Sequence, residues 1–383
     1  MTKHDYKQTA YYLIYLIRCV LNDKVPSQEK LDKMNLSQLF EVAQRHSLTA
    51  ICAYALESAG IFDKAFTEAK NKAIRKNIIL DAERENVFAE FEKAGIWYMP
   101  LKGSILKDYY PKIGMRQMCD NDILIDKSRV EDIKSIMKSL GFDMEHDDSG
   151  HDLAFFKKPV CNFELHTELF GVGHNATMNA YYDDVFSQIL KDEGGRFEYH
   201  FSNEDFYIFM IAHEYKHFYY GGTGLRGLVD RYVFLHKFSD RLDLSYVENE
   251  LSKMGIAEYE MDARKLSFKL FNGVILSDNE KELLDFYIFS DTYGTFEKSI
   301  QNRLKKNGGG LIAIVKYISD RFFVPISSKS QLYKGYAAEY PLFYKHKILL
   351  PVLPFYRLGR GLIKHRKRLI TELKTLIKYN NKT

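Results

Sequence analysis

The sequence predicts an α+β protein in which a small mixed sheet stands between helical regions. Three observations lead there. Apolar positions recur at helical spacing from Tyr6 to about Ala94, short strand-like runs alternate with helical ones from Gly95 to about residue 200, and the helical period returns beyond Asp205. With 383 residues the chain exceeds the roughly 250–300 at which a single core stops growing, so more than one compact unit is expected. The texture places segment boundaries at 1–94, 95–200, 201–344 and 345–383.

In the first segment Leu36, Leu39, Phe40, Val42 and Ala43 share a helix face, and Ser58-Ala59-Gly60 supplies a stop before another helix over 64–93. Ile96-Trp97-Tyr98-Met99-Pro100 is rich in aromatic and branched residues and reads as a strand running into a turn at Leu101-Lys102-Gly103-Ser104. Residues 105–110 then read as a short helix, 121–125 as a strand, 129–140 as an amphipathic helix and 154–169 as one or two strands. Helices follow over 207–238, 246–271 and 278–289. Gly308-Gly309-Gly310 reads as a flexible turn, and without a following Lys and Ser or Thr it is a poor phosphate loop.

The chain is 46% apolar and 28% charged, which is ample for packed cores and excludes wholesale disorder. Cys19, Cys52, Cys119 and Cys161 form no CxxC pair, so neither a disulfide framework nor a zinc knuckle is expected, and a reducing, cytoplasmic setting fits. The first apolar run, 10–17, is too short for a membrane span and lacks a cleavage site. The net charge of +4 hides an asymmetry: residues 345–383 carry eleven Lys or Arg against Glu372 alone, which is +10 and leaves −6 for the rest. That block suits an acidic partner or an acidic membrane surface, which would make the protein peripheral to the membrane. The body shows no basic bias and argues against a long nucleic acid as substrate.

Chemistry concentrates in residues 101–126, LKGSILKDYYPKIGMRQMCDNDILID. In Asp120-Asn121-Asp122 two carboxylates lie two apart on an expected strand, and a period of two puts them on one face. Converging carboxylates suit Mg²⁺, a hard ion that takes oxygen ligands, with Mn²⁺ as the alternative; in two-ion sites the cations lie roughly 3.5–4 Å apart. Upstream, Gly103-Ser104 opens a helix directly after a strand, where the hydroxyl and backbone amides can receive phosphate oxygens. Lys102 either neutralises phosphate or is a solvated lysine beside a turn, and Arg116 either forks onto phosphate or orients the carboxylates. Asp126 reads as a helix cap or a surface acid.

Gly-Ser, a short helical interval and then Asp-x-Asp on a strand resembles the signature of nucleotidyltransferases with the minimal polymerase-beta-like core. The PLKG form, the following Tyr-Pro, Arg116, Met118 and Asp120-Asn121-Asp122 are similar to uncharacterised bacterial nucleotidyltransferases. The resemblance continues through His213-Glu214-Tyr215-Lys216-His217, Leu225-Arg226 and Asp230. It implies a third carboxylate on a later strand, for which Glu164 in Asn162-Phe163-Glu164-Leu165-His166 is the candidate, with His166 on the same face. It further implies an NTP donor, two Mg²⁺ ions held by Asp120, Asp122 and Glu164, and phosphates against Lys102, Gly103, Ser104 and Arg116. His166, His213, Lys216 and His217 would stand on the substrate side. The acceptor stays open, with a small molecule favoured.

Two alternatives accompany this reading. Residues 213–217 satisfy HExxH, the pattern of zinc peptidases, although Lys216 would set a cation beside the metal. A nucleotide-binding scaffold that has kept the fold without catalysis is the other. In the C-terminal segment Leu362, Ile363, Leu369, Ile370, Leu373, Leu376 and Ile377 alternate with basic residues, which suits either a helix at an acidic interface or a solvated terminal helix packed on its neighbour.

Overall fold

The computed structural model describes residues 1–148, 152–170, 176–238, 240–290, 296–306, 308–323, 336–337, 340–364 and 366–380. They gather into two compact units: one holds 1–171, 177–215 and 224–292, the other 172–176, 216–223 and 293–383.

The first unit opens with α1 (Lys3–Leu21), α2 (Gln28–Leu31), α3 (Leu36–Arg45), α4 (Thr49–Ser58) and α5 (Lys64–Ala94). Each helix starts or stops where local chemistry dictates. Thr2 and Asp5 form a capping box on α1, and the Asn35 and Asp63 side chains accept the backbone N–H groups of Gln38 and Phe66. Gly95 ends α5 in the left-handed region at φ 66°, and Ile96 N–H closes on the Phe91 carbonyl at 3.0 Å. At about 1.5 Å per residue α5 is roughly 46 Å long. Its early part sets Phe66 against Phe40, while Leu80, Val87 and Phe91 enter the core beneath the sheet.

The strands are β1 (Tyr98–Pro100), β2 (Asn121–Ile125), β3 (Asp143–Asp148), β4 (Asp152–Lys157) and β5 (Cys161–His166), in the order β1-β2-β5-β4-β3. Only β2 and β5 run parallel; the other neighbours are antiparallel, so the expected small mixed sheet is present. Between β1 and β2 lie α6 (Gly103–Leu106) and a turn of 3-10 helix, Lys107–Tyr109; α7 (Val130–Ser139) follows β2. One face of the sheet presents Tyr98, Ile123, Ile125, Leu153, Phe155, Phe163 and Leu165 to α5 and α7, forming a buried core. Strand alternation turns Asp122, Glu164 and His166 to the opposite face.

After α8 (Ala176–Tyr181), the hairpin β6 (Ile189–Lys191) and β7 (Tyr199–Phe201) leads to the later helices of this unit. These are α9 (Asn203–Tyr220), whose last five residues belong to the second unit, α10 (Leu225–Phe238), α11 (Leu244–Lys253), α12 (Ala257–Asn272) and α13 (Asp278–Ile288). The second unit carries α14 (Phe296–Lys306), α15 (Gly310–Phe322), α16 (Pro341–Lys345), the 3-10 helix Lys347–Val352, α17 (Leu353–Lys364) and α18 (Arg366–Asn380). All four cysteines are free. Among the described residues no helix is long and apolar enough to cross a membrane.

Two buried ionisable groups of the first unit, Arg231 and His46, are held by named partners. Arg231, fully buried on α10, donates from Nη2 to Glu214 Oε2 at 2.8 Å, and Tyr287 Oη donates to the same carboxylate. His46 is fully buried: its Nδ1 accepts the Leu225 N–H at 3.2 Å and its ring binds the Ile288 carbonyl, so one imidazole ties the end of α3 to α10 and α13. Burial holds its pKa down at about 4, so the folded ring is neutral.

Two stability predictions follow from these buried groups. Below about pH 6.5 the unfolded chain protonates His46 and the folded chain does not until about pH 4. Stability therefore falls by about 3 kcal/mol as pH drops through that window. Urea unfolding from pH 7 to 4 should show this extra loss in the wild type and not in His46→Gln; parallel pH slopes would overturn it. Glu214→Ala strands the Arg231 guanidinium and should cost about 3–5 kcal/mol in denaturant unfolding, while Glu214→Ala with Arg231→Met should recover most of it.

Candidate metal centre

The centre grows from the parallel pairing of β2 with β5, which sets Asp122 directly beside Glu164 and Leu124 beside His166. One carboxylate oxygen each from Asp122 and Glu164 and one imidazole nitrogen of His166 lie within 4.8 Å of one another, a set able to hold a metal ion. Asp122 is buried and Glu164 exposed, so the cluster opens to solvent on one side. Two carboxylates supply the oxygen donors that Mg²⁺ or Mn²⁺ takes.

The surrounding charges bear on the same point. Lys102 Nζ lies 3.0 Å and His166 Nε2 2.9 Å from Asp122 Oδ1, while His166 Nδ1 lies 2.6 Å from Asp152 Oδ1. Burial works to raise the Asp122 pKa, but Lys102 and His166 together outweigh it and hold the carboxyl ionised, below the ordinary range. Burial likewise works to discharge His166, and the Asp122 and Asp152 carboxylates reverse that, raising its pKa. Asp120, just before β2, is pushed up to about 6, first by burial and then by the like charges of Asp122 and Glu164, against Lys102 and Arg226.

The expected phosphate-side residues surround this cluster in specific ways. Lys102 sits at φ 43°, in the left-handed region, between the Leu101 N–H that donates to the Asp122 carbonyl and the first turn of α6. Ser104 opens α6 as expected, and its buried hydroxyl donates to the Leu101 carbonyl at 2.9 Å. Arg116 is buried and forks onto Asp230, with Nε at 2.8 Å and Nη2 at 3.1 Å, and Tyr110 Oη adds a bond to the same carboxylate at 2.6 Å. A methyl group on Gly103 would meet Arg116 Nη1 at 2.7 Å, so this glycine makes room for the guanidinium. Asp126 caps the 3-10 helix Lys127–Arg129 by accepting the Ser128 N–H.

His166 reads from sequence as a substrate-side residue, yet its nitrogen belongs to the ligand cluster. Asp152, its outer partner, escapes the sequence reading. A signal was present: a hairpin centred on Pro159 sets 152 opposite 166, as β4 and β5 do. Arg226, on the first turn of α10, carries part of the family resemblance without an assigned role, and its charge reaches Asp120. Of the HExxH stretch, Glu214 is buried against Arg231, which leaves no free carboxylate to activate a zinc-bound water. His213 lies beside Phe209 on α9; Lys216 and His217 follow on the same helix and fall in the second unit. Among the described residues the only group of three or more metal-binding side chains is Asp122, Glu164 and His166.

No curated protein and no solved structure matches the chain. The family described as Uncharacterised nucleotidyltransferase matches residues 32–272, well over half of the sequence and inclusive of every strand and of the whole carboxylate cluster. With Gly103-Ser104, the mixed sheet and paired Asp122 and Glu164 in place, the chain belongs to this nucleotidyltransferase family.

Proposed function

We propose that the protein is a metal-dependent nucleotidyltransferase that moves a nucleoside monophosphate from an NTP to a hydroxyl or phosphate acceptor, with a small molecule favoured, and releases pyrophosphate. The observation that carries the reading is the side-by-side register of Asp122 and Glu164 with His166 on one sheet face. Bound there, Mg²⁺ or Mn²⁺ would offset phosphate charge and acidify an acceptor hydroxyl. Asp122 and Glu164 would hold the ion, with Asp120 available to a second one.

The chain's own groups then position the reactants. Lys102, already 3.0 Å from Asp122, brings an ammonium to the place where triphosphate charge would gather. Arg116 acts as a positioning residue: its fork to Asp230 fixes the approach to β2 from α10, and with it where Asp120 and Asp122 stand. Asp152 orients His166 through Nδ1. The acceptor oxygen attacks the α phosphorus as the bond to the pyrophosphate oxygen breaks, and alignment of these two partners is the main service a rigid site renders.

Calorimetric titration of the four common nucleoside triphosphates with and without Mg²⁺ tests the reading. Metal-dependent binding of at least one is expected, weakened about a hundredfold or more in Asp122→Asn with Glu164→Gln, and about 10–100-fold in Asp152→Ala through loss of His166 orientation. Metal-independent binding, or none to any triphosphate, would remove the proposal's basis. Gly103→Ala should press on Arg116 and lower stability by about 1–3 kcal/mol in thermal or urea unfolding. An unchanged midpoint in Gly103→Ala would show that the guanidinium yields without strain.

A further inference from the structure

We infer that the second unit is a membrane-surface module that lies in the plane of an anionic lipid interface. The proposal is independent of the transferase reading. It rests on how this unit distributes apolar and charged side chains. In the 3-10 helix Lys347–Val352 and the start of α17, Ile348, Leu349, Val352, Phe355 and Tyr356 recur at helical spacing and all face solvent; Ile348 is 87% and Phe355 64% exposed. Their inward neighbours Leu350 and Leu353 pack with Tyr340 and Tyr344 in a small core of their own. Phe355 meets Phe322 and Tyr356 meets Tyr340 and Phe343 along one edge of the stripe, while Ile348, Leu349 and Val352 take no part in that core.

Two further helices of the unit repeat the pattern. On α15, Ala313 and Tyr317 enter a core with Ile300, Leu304 and Leu376, while Leu311, Val315 and Ile318 are exposed. On α18, Leu376 is the inward residue, and Ile370, Leu373 and Ile377 are exposed at spacings of three and four. Monomeric soluble proteins rarely show apolar side chains in such runs without a use for them.

Charge selects the occupant. Residues 345–383 hold eleven Lys or Arg and one acid, Glu372. That acid is 5% exposed and accepts a hydrogen bond from Tyr317 Oη at 2.7 Å, so it is withdrawn from the surface. Lys345, Lys347 and Lys374 are exposed beside the apolar stripes. A second copy of the chain would set +10 against +10. An acidic protein partner would satisfy the lysines while leaving the solvent-facing Ile, Leu, Val and Phe side chains without a role. An anionic bilayer answers both, with lipid tails for the stripes and headgroups for the lysines. With Pro351 within the 3-10 helix and no membrane-crossing helix among the described residues, the fitting geometry is in-plane.

The test is flotation of the full chain with phosphatidylcholine vesicles and with vesicles of about one third phosphatidylserine. The expected result is recovery with the anionic vesicles and not with the neutral ones, reduced between about 0.1 M and about 0.5 M salt. Lys345→Glu with Lys347→Glu should weaken partitioning about twentyfold or more. Ile348→Ser, Val352→Ser and Phe355→Ser together should abolish retention at low salt, while Ile275→Ser, an exposed change in the first unit, should leave it unaltered. Circular dichroism and the thermal midpoint check that each variant folds. Equal recovery on both vesicle types, no recovery on either, or retention unaffected by the serine variant would overturn the proposal. So would capture by polyglutamate without vesicle binding, which would assign the surface to an acidic protein, or a dimer in sedimentation that the serine variant dissolves.

Discussion

Asn121 stands between the two acids of the Asp-Asn-Asp motif, fully buried on the face away from them. Its Nδ2 donates to the Leu80 carbonyl at 3.0 Å and its Oδ1 accepts from Arg84 Nη1 at 3.1 Å, both on α5. A buried amide is tolerated only when its donors and acceptors are answered, and here a single helix answers both kinds. The first residue of β2 is thereby fixed against α5, and strand alternation turns Asp122 the other way. A slip of one residue would bury a carboxylate in the apolar core and expose Ile123, at a cost no local contact could offset. The register that sets Asp122 beside Glu164 is thus a consequence of what the opposite face of the sheet must bury.

Concentrating like charges on the open face has an electrostatic consequence. Burial first, and then the like charges of Asp122 and Glu164, push the Asp120 pKa up to about 6. Asp122 stays ionised because Lys102 and His166 both reach the same oxygen. The lysine does so from a backbone conformation that L residues seldom adopt, a strain of order 1–3 kcal/mol that the surrounding bonds must sustain. Those bonds are on either side of it: Leu101 N–H on the Asp122 carbonyl before, Ile105 and Leu106 N–H on the Lys102 carbonyl after. Strain, burial and concentrated negative charge coincide at one turn, and a cation bound by these carboxylates would offset their mutual repulsion.

How much of this the sequence disclosed depended on whether the signal was local. Strand β2 and helices α5 and α7 were legible because periodicity acts over a few residues. Glu164 was legible through the family resemblance and its alternation with Phe163 and Leu165. The fate of Arg116 was not, since its partner Asp230 lies 114 residues away and a guanidinium before a metal strand looks the same whether it meets phosphate or carboxylate. Gly103 reads as a phosphate-approach glycine, while the group crowding it is Arg116. Ser104 was placed correctly at the helix start, and its hydroxyl turns back onto the Leu101 carbonyl.

The HExxH stretch carries the same lesson in reverse. Its letters fit a zinc site, but a motif becomes chemistry only when its side chains are left free for it. Glu214 is taken by a guanidinium with no exposed surface. Arg231 and Asp230 are consecutive on α10 and serve two different ends: one neutralises Glu214 in the helical core, the other receives Arg116 and Tyr110 from the segment between β1 and β2. Both pairs are desolvated, so neither adds much net stability over an apolar substitute, yet breaking either would strand a charge. Such pairs are weak as adhesive and strong as register. They specify which residue of α10 faces the segment leading into β2, and so the carboxylates are placed from the helical side as firmly as Asn121 places them from below.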